Sequence, residues 1–226
     1  MSASERRPTP SRLPADLRAR VLAEVARAPS PTRREHRTKT ALVAAGGVLA
    51  TAALFFATGG LRLGARPVEL VAFTAGLGLV AALVLTRVSA RARGSMLGRP
   101  RHVLVLGAAL GAPALAIVAL AAAALWPGHG AEDVPSASHL SCGLLTILQG
   151  MLPFAVLLLP RRGTDPVHPM LTGAALGMAA GTWTAMMAYL RCPHAAALHC
   201  MEAHVLPTLL LAAAGALVGR KLLQIR

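Results

Sequence analysis

The sequence predicts an all-α protein: a polytopic membrane bundle of six transmembrane helices preceded by a short N-terminal cytoplasmic helix. Three observations lead there. Long apolar runs recur over residues 41–59, 68–86, 103–126, 142–159, 170–190 and 205–218, the last long enough if it extends over 203–219, and a helical crossing needs about 20 such residues. Alternation with a period of two is absent, which argues against a barrel. Charge is sparse and one-sided: 14% of residues are charged and the formal net charge is +14, where a soluble domain carries about 25% charged residues.

The positions of the positive charges set the topology. Of the 23 Lys and Arg residues, 20 lie in the N-terminal segment, in alternate connections on the same side, or after the last run. Arg62, Arg66 and Arg191 are the three on the opposite side. The positive-inside rule then puts both termini in the cytoplasm. A nucleic-acid binder gathers its arginines on one folded face; these flank hydrophobic runs, so the partner they indicate is a lipid bilayer and not a nucleic acid.

Residues 1–40 form a cytoplasmic segment and residues 41–226 the transmembrane domain. The first apolar run begins too late for a signal peptide. Within the segment, LPADLRARVLAEVARAPSP reads as one helix. Pro14 suits its first turn, Asp16 favours the positive end of the helix dipole, and the Pro29 and Pro31 pair ends it. Leu13, Leu17, Val21 and Val25, with Leu22 beside them, make an apolar stripe against an arginine face. A helix of this length is marginal alone in water, so the stripe needs a surface. Either it lies on anionic lipid or it enters a groove of a cytoplasmic partner.

The first two runs are rich in Ala, Gly, Leu and Val, and Gly46, Gly47, Gly76 and Gly78 are expected to let helices approach closely. Gly111 and Pro113 predict a kink in the third. A loop with two acids and no Lys or Arg leads to the fourth run, which has Cys142 at its mouth, Gln149 inside and Pro153 near its middle. The fifth carries Thr182, Trp183 and Thr184. No Asp, Glu, Lys or Arg falls centrally in any run, which argues against an ion-coupled transporter.

The stretch RCPHAAALHCMEAH, residues 191–204, separates the last two runs. With His139 and Cys142 it collects His139, Cys142, Cys192, His194, His199, Cys200 and His204 at one end of the bundle. On an α-helix Cys200 and His204 share a face, while His199 and His204 diverge by about 140°. Thiolates with imidazoles suit zinc or another transition-metal ion, and Cys142, Cys192, His199, Cys200 and His204 are the candidate ligands. The spacing matches no standard metal motif. A structural disulfide between Cys142 and Cys192, a metal or redox sensor, and inert packing all remain open. Signs of enzyme chemistry are lacking: there is no Ser-His-Asp set, no buried acid pair and no phosphate loop.

The segments LPADLRARVLAEVARAPSPTR, CGLLTILQGMLPFAVLLLPRRG and CPHAAALHCMEAHVLPTLLLAAAGALVGRKLL together resemble the NrsF-like six-span membrane anti-sigma factors, regulators of extracytoplasmic-function sigma factors. The likeness covers nearly the whole chain. It implies a bacterial inner-membrane protein that sequesters such a sigma factor through its N-terminal helix and releases it on a stress signal. By position it implies that Cys142, Cys192, His199 and His204 sense the signal; Cys200 is an addition peculiar to this sequence. The contrasting expectation is a small membrane redox or metal/haem-binding protein that uses the same Cys/His cluster.

Overall fold

The computed structural model describes residues 14–27, 33–62, 66–90, 101–125, 134–162, 167–194 and 196–224. Among them there is no strand; the elements are α1 (Ala15–Arg27), α2 (Arg33–Ala57), α3 (Val68–Ala90), α4 (Arg101–Ala124), α5 (Ser136–Leu158), α6 (Pro169–Arg191), the single turn α7 (Ala197–Cys200), a π-helical turn at Met201–Val205, and α8 (Leu206–Leu222). Contacts gather into two units, Met1–Ala41 and Leu42–Arg226.

In the first unit, α1 begins where Pro14 and Asp16 predict. The Arg18 amide donates to the Pro14 carbonyl, and Asp16 sits in the first turn. Of the apolar stripe, Leu17 and Leu22 are 43% and 59% exposed. Leu13 and the side chains of Val21 and Val25 lie outside the described residues.

In the second unit the helices pack around α6, which meets α8 most extensively and then α3, α5 and α4. The glycines expected to bring helices together only partly do so. A Cβ on Gly47 would meet Val156 at 2.6 Å and one on Gly78 would meet Met186 at 3.2 Å, but Gly46 and Gly76 face nothing within 4 Å. The closest backbone approach lies instead between α6 and α8, which run antiparallel. A Cβ on Gly173 would overlap the Gly215 carbonyl oxygen, one on Gly177 the Leu211 carbonyl oxygen, and one on Gly215 the Gly173 carbonyl oxygen. Spaced four apart, Gly173, Gly177 and Gly181 form one smooth face of α6. Around this seam lie small apolar clusters: Phe154, Leu158, Leu176, Ala180 and Leu223, then Leu85, Met178, Ala179 and Ala212.

The expected six crossings need correction on length and hydropathy. Among the described residues three helical stretches are long and apolar enough to cross a membrane: Val68–Arg87, Ser136–Arg161 and Ala197–Leu222. The apolar parts of α2 and α4, Ala41–Ala57 and Val105–Ala121, are shorter. The remaining helix, α6, is diluted by Pro169, Thr172, three seam glycines, Thr182, Thr184 and Tyr189, most of them buried. A helix enclosed by protein on most sides has no lipid to match, so its composition follows packing instead. Both Pro113 and Pro153 lie inside continuous helices.

The seam is testable. Gly177→Val should cost about 1–3 kcal/mol or more from overpacking and lower both the membrane level and the thermal midpoint of the purified protein. Gly46→Ala and Gly76→Ala, facing open space, should leave both unchanged.

Candidate functional site

Pro207 shapes the site from below. It has no N–H to give the Ala203 carbonyl one turn earlier, and its ring crowds that carbonyl. The chain answers by widening into a π turn over Met201–Val205, closed by the Leu206 amide on the Met201 carbonyl. The orphaned Ala203 carbonyl is satisfied from another helix: the Thr146 hydroxyl of α5 donates to it at 3.0 Å. Thr208 Oγ1 likewise donates to the His204 carbonyl at 2.9 Å and to Gly181 of α6 at 3.2 Å. A widened turn of this kind often marks a functional position.

The widening changes which side chains meet. On a regular helix His199 and His204 diverge, but here their rings sit 5.5 Å apart between centroids, nearly perpendicular. His139 and His194 also stand edge-on to His199, at 4.7 and 5.3 Å. His199 is thus the hub of four imidazoles. Its Nε2 lies 3.1 Å from the Cys192 sulfur, and it is fully buried.

Cys142 of α5, Cys192 just past α6 and His199 of α7 offer three ligand atoms that all lie within 4.8 Å of one another. Ligands around one tetrahedral zinc with sulfur at 2.3 Å lie roughly 3.8 Å apart, so with a small contraction this group could hold a metal ion. Two thiols and an imidazole are a soft donor set that suits zinc or Cu(I). All three cysteines are free thiols. Hydrogen bonding with the neighbouring Cys142 sulfur, and then burial, hold the Cys192 thiol above the usual thiol range.

The other expected residues fall outside this group. Cys200 is buried against Ala119 and Tyr189. His204 is buried, and neither ring nitrogen has a hydrogen-bond partner. Both line a small cavity between α3, α4 and α6, so the four-residue spacing does put them together, though away from Cys142 and Cys192. His139 Nδ1 donates to Glu202 Oε2 at 2.7 Å, and this pair borders an open groove of about 670 Å³ walled by Leu140, Leu144, Ile147 and Leu210.

Beneath the thiols lies a polar knot. Arg191, next to Cys192 in the chain, is buried and donates from one guanidinium nitrogen to Thr58 Oγ1 at 2.8 Å. Gln149 Nε2 donates to the same hydroxyl at 2.9 Å. Arg66, also buried, donates to the Tyr189 carbonyl at 3.0 Å and lies 4.8 Å over the Tyr189 ring. The Arg62 amide donates to the Leu190 carbonyl. An arginine at the end of an apolar run reads as an interfacial charge, so the sequence carries little sign of this knot. Gln149, alone within an apolar run, is the signal that a buried polar partner exists.

Titration with Co²⁺ as a zinc surrogate should give thiolate charge-transfer absorption and one ion per chain. Cys142→Ser and Cys192→Ser should abolish it and His199→Ala should weaken it, with Cys200→Ser retaining it.

The family model for NrsF, negative regulator of sigma F, matches residues 22–224. No curated protein and no solved structure matches the chain.

Proposed function

The chain belongs to the NrsF family of negative regulators of sigma F, and on that premise we propose that it is an inner-membrane anti-sigma factor whose Cys142, Cys192 and His199 receive the inducing signal. The partner is an extracytoplasmic-function sigma factor. In the resting state α1 holds it at the membrane and so denies it to RNA polymerase. The exposed Leu17 and Leu22 support this reading: burying a leucine is worth about 1.5–3 kcal/mol, and two or more anchors make a bound helix stable where the free one is marginal. Leu13, Val21 and Val25 complete the stripe.

In this reading the helices of residues 42–226 form a multi-pass membrane domain, with both termini cytoplasmic. Support comes from α6, which packs along α3, α5 and α8, the helices whose stretches are long and apolar enough to cross. A helix enclosed by crossing helices crosses with them. The positive-inside distribution then puts Cys142, Cys192 and His199 on the outer side.

The observation that carries the sensing half is the convergence of these three residues from three separate elements. A metal bound there supplies a cross-link between α5, the end of α6 and α7. Thiol oxidants act on the same two cysteines. Either agent shifts a two-state equilibrium only by binding or modifying one state in preference to the other, and a site built from three elements discriminates between arrangements of those elements. His204, buried against His199, supports the geometry from below.

Full-length protein in detergent should co-purify with its sigma factor, and Leu17→Asp should weaken that binding by roughly tenfold to a hundredfold, following the lost burial. A sigma-dependent reporter should then run without a stimulus. Cys142→Ser should leave sigma binding intact and abolish induction; sigma binding unaffected by Leu17→Asp would remove α1 from the interface.

A further inference from the structure

We propose that Thr58 is a latch that couples the Cys142/Cys192/His199 group to α2, and that opening it carries the signal to the N-terminal segment. The inference rests on the anti-sigma reading above and names the relay within it.

The hydroxyl of Thr58 is saturated. A threonine hydroxyl offers one donor and two acceptor lone pairs. Thr58 Oγ1 donates to the Leu54 carbonyl at 2.7 Å, closing the last turn of its own helix, and accepts from Gln149 of α5 and Arg191 of α6. One atom thus joins three helices. On the sensing side, Arg191 is covalently adjacent to Cys192, so drawing the Cys192 sulfur toward a metal or a new bond displaces the guanidinium.

The surroundings make this join decisive for α2. Among the described residues α2 shares no extensive interface with any other helix; its close contact is Gly47 against Val156. What holds its far end is the knot and the turn that follows. There the Gly60 amide donates to the Phe55 carbonyl and the Gly59 amide to the Phe56 carbonyl. Gly59, at φ 117°, takes the positive-φ position that ends helices in this way. The chain then grips the end of α6 through Arg62 on Leu190 and Arg66 on Tyr189. Tyr189, Leu190 and Arg191 are therefore all tied to α2 or to the connection after it, directly before Cys192. At its other end α2 continues into the segment that carries α1. A polar latch on a loosely packed helix has two discrete states, closed and open, which is what a relay between distant sites requires.

Thr58→Val keeps the shape and removes the hydroxyl, whereas Thr58→Ser keeps the hydroxyl. Each is tested in the full-length protein in its host, with a sigma-dependent reporter and the membrane level of the protein measured together. Thr58→Val should raise unstimulated output at least tenfold, toward that of Leu17→Asp, at unchanged membrane level. It should do so equally when Cys142 and Cys192 are both serine, because the latch lies downstream of them. Thr58→Ser should stay repressed. If Thr58→Val accumulates poorly, Gln149→Leu removes one of the two donors from a distance and is held to the same expectations. Repression retained by the latch variants while Leu17→Asp derepresses overturns the latch. Derepression by Thr58→Ser, or derepression that disappears without the cysteines, overturns it too. If Leu17→Asp itself leaves the reporter silent, it is the anti-sigma reading that fails.

Discussion

Within a bilayer, helices gain nothing from hiding apolar surface from one another, since the lipid is as apolar as they are. What remains is contact distance, and in this protein that distance is set where α6 meets α8. Gly173, Gly177 and Gly181 of α6 face Gly215, Gly219 and the backbone near Leu211 and Thr208, with no room for a Cβ at the closest points. Backbone against backbone maximises dispersion contact and leaves α6 in the middle of the unit, with α3, α4 and α5 laid around it. The seam also fixes the height of the end of α6 relative to the start of α8, and so the separation of Cys192 from His199.

That fixed height gives meaning to the π turn. Pro207 denies a donor to Ala203, the turn widens, and Thr146 of α5 reaches across to take the free carbonyl. The same hydrogen bond ties α5, with Cys142 one turn before Thr146, to the element that follows His199. Two local defects, a missing N–H and an enlarged turn, are thus compensated by a tertiary contact that helps assemble the three-residue group. Buried polar groups in such a setting cost dearly unless paired. In the knot, Gln149 Nε2 and an Arg191 guanidinium nitrogen are paired in this way on Thr58 Oγ1, while Gln149 Oε1 has no partner, and the loop arginines add carbonyl contacts at the end of α6.

The two units have opposite physical characters. Leu42–Arg226 is organised by close packing of small residues. In Met1–Ala41, α1 keeps Leu17 and Leu22 open to contact, and by itself a helix of 13 residues is too short to be stable.

By itself the sequence determined the helical class and the placement of the long helices, because apolar run length and helix-breaking prolines are local quantities. It also brought Cys142, Cys192 and His199 to one end of the chain's apolar runs. Which side chains of that set converge was decided by tertiary structure. Ideal spacing paired Cys200 with His204, and both line one cavity, while a turn widened by Pro207 left His199 with the two cysteines. Glycine content pointed to α2 and α3 for close approach, yet the seam formed between α6 and α8, because a glycine face works only where a second smooth face opposes it. The count of crossings diverged for a related reason: α6 is diluted by the small and polar residues that its central position selects. Arg191 and Thr58 stand 133 residues apart, and nothing local to either predicts the bond between them.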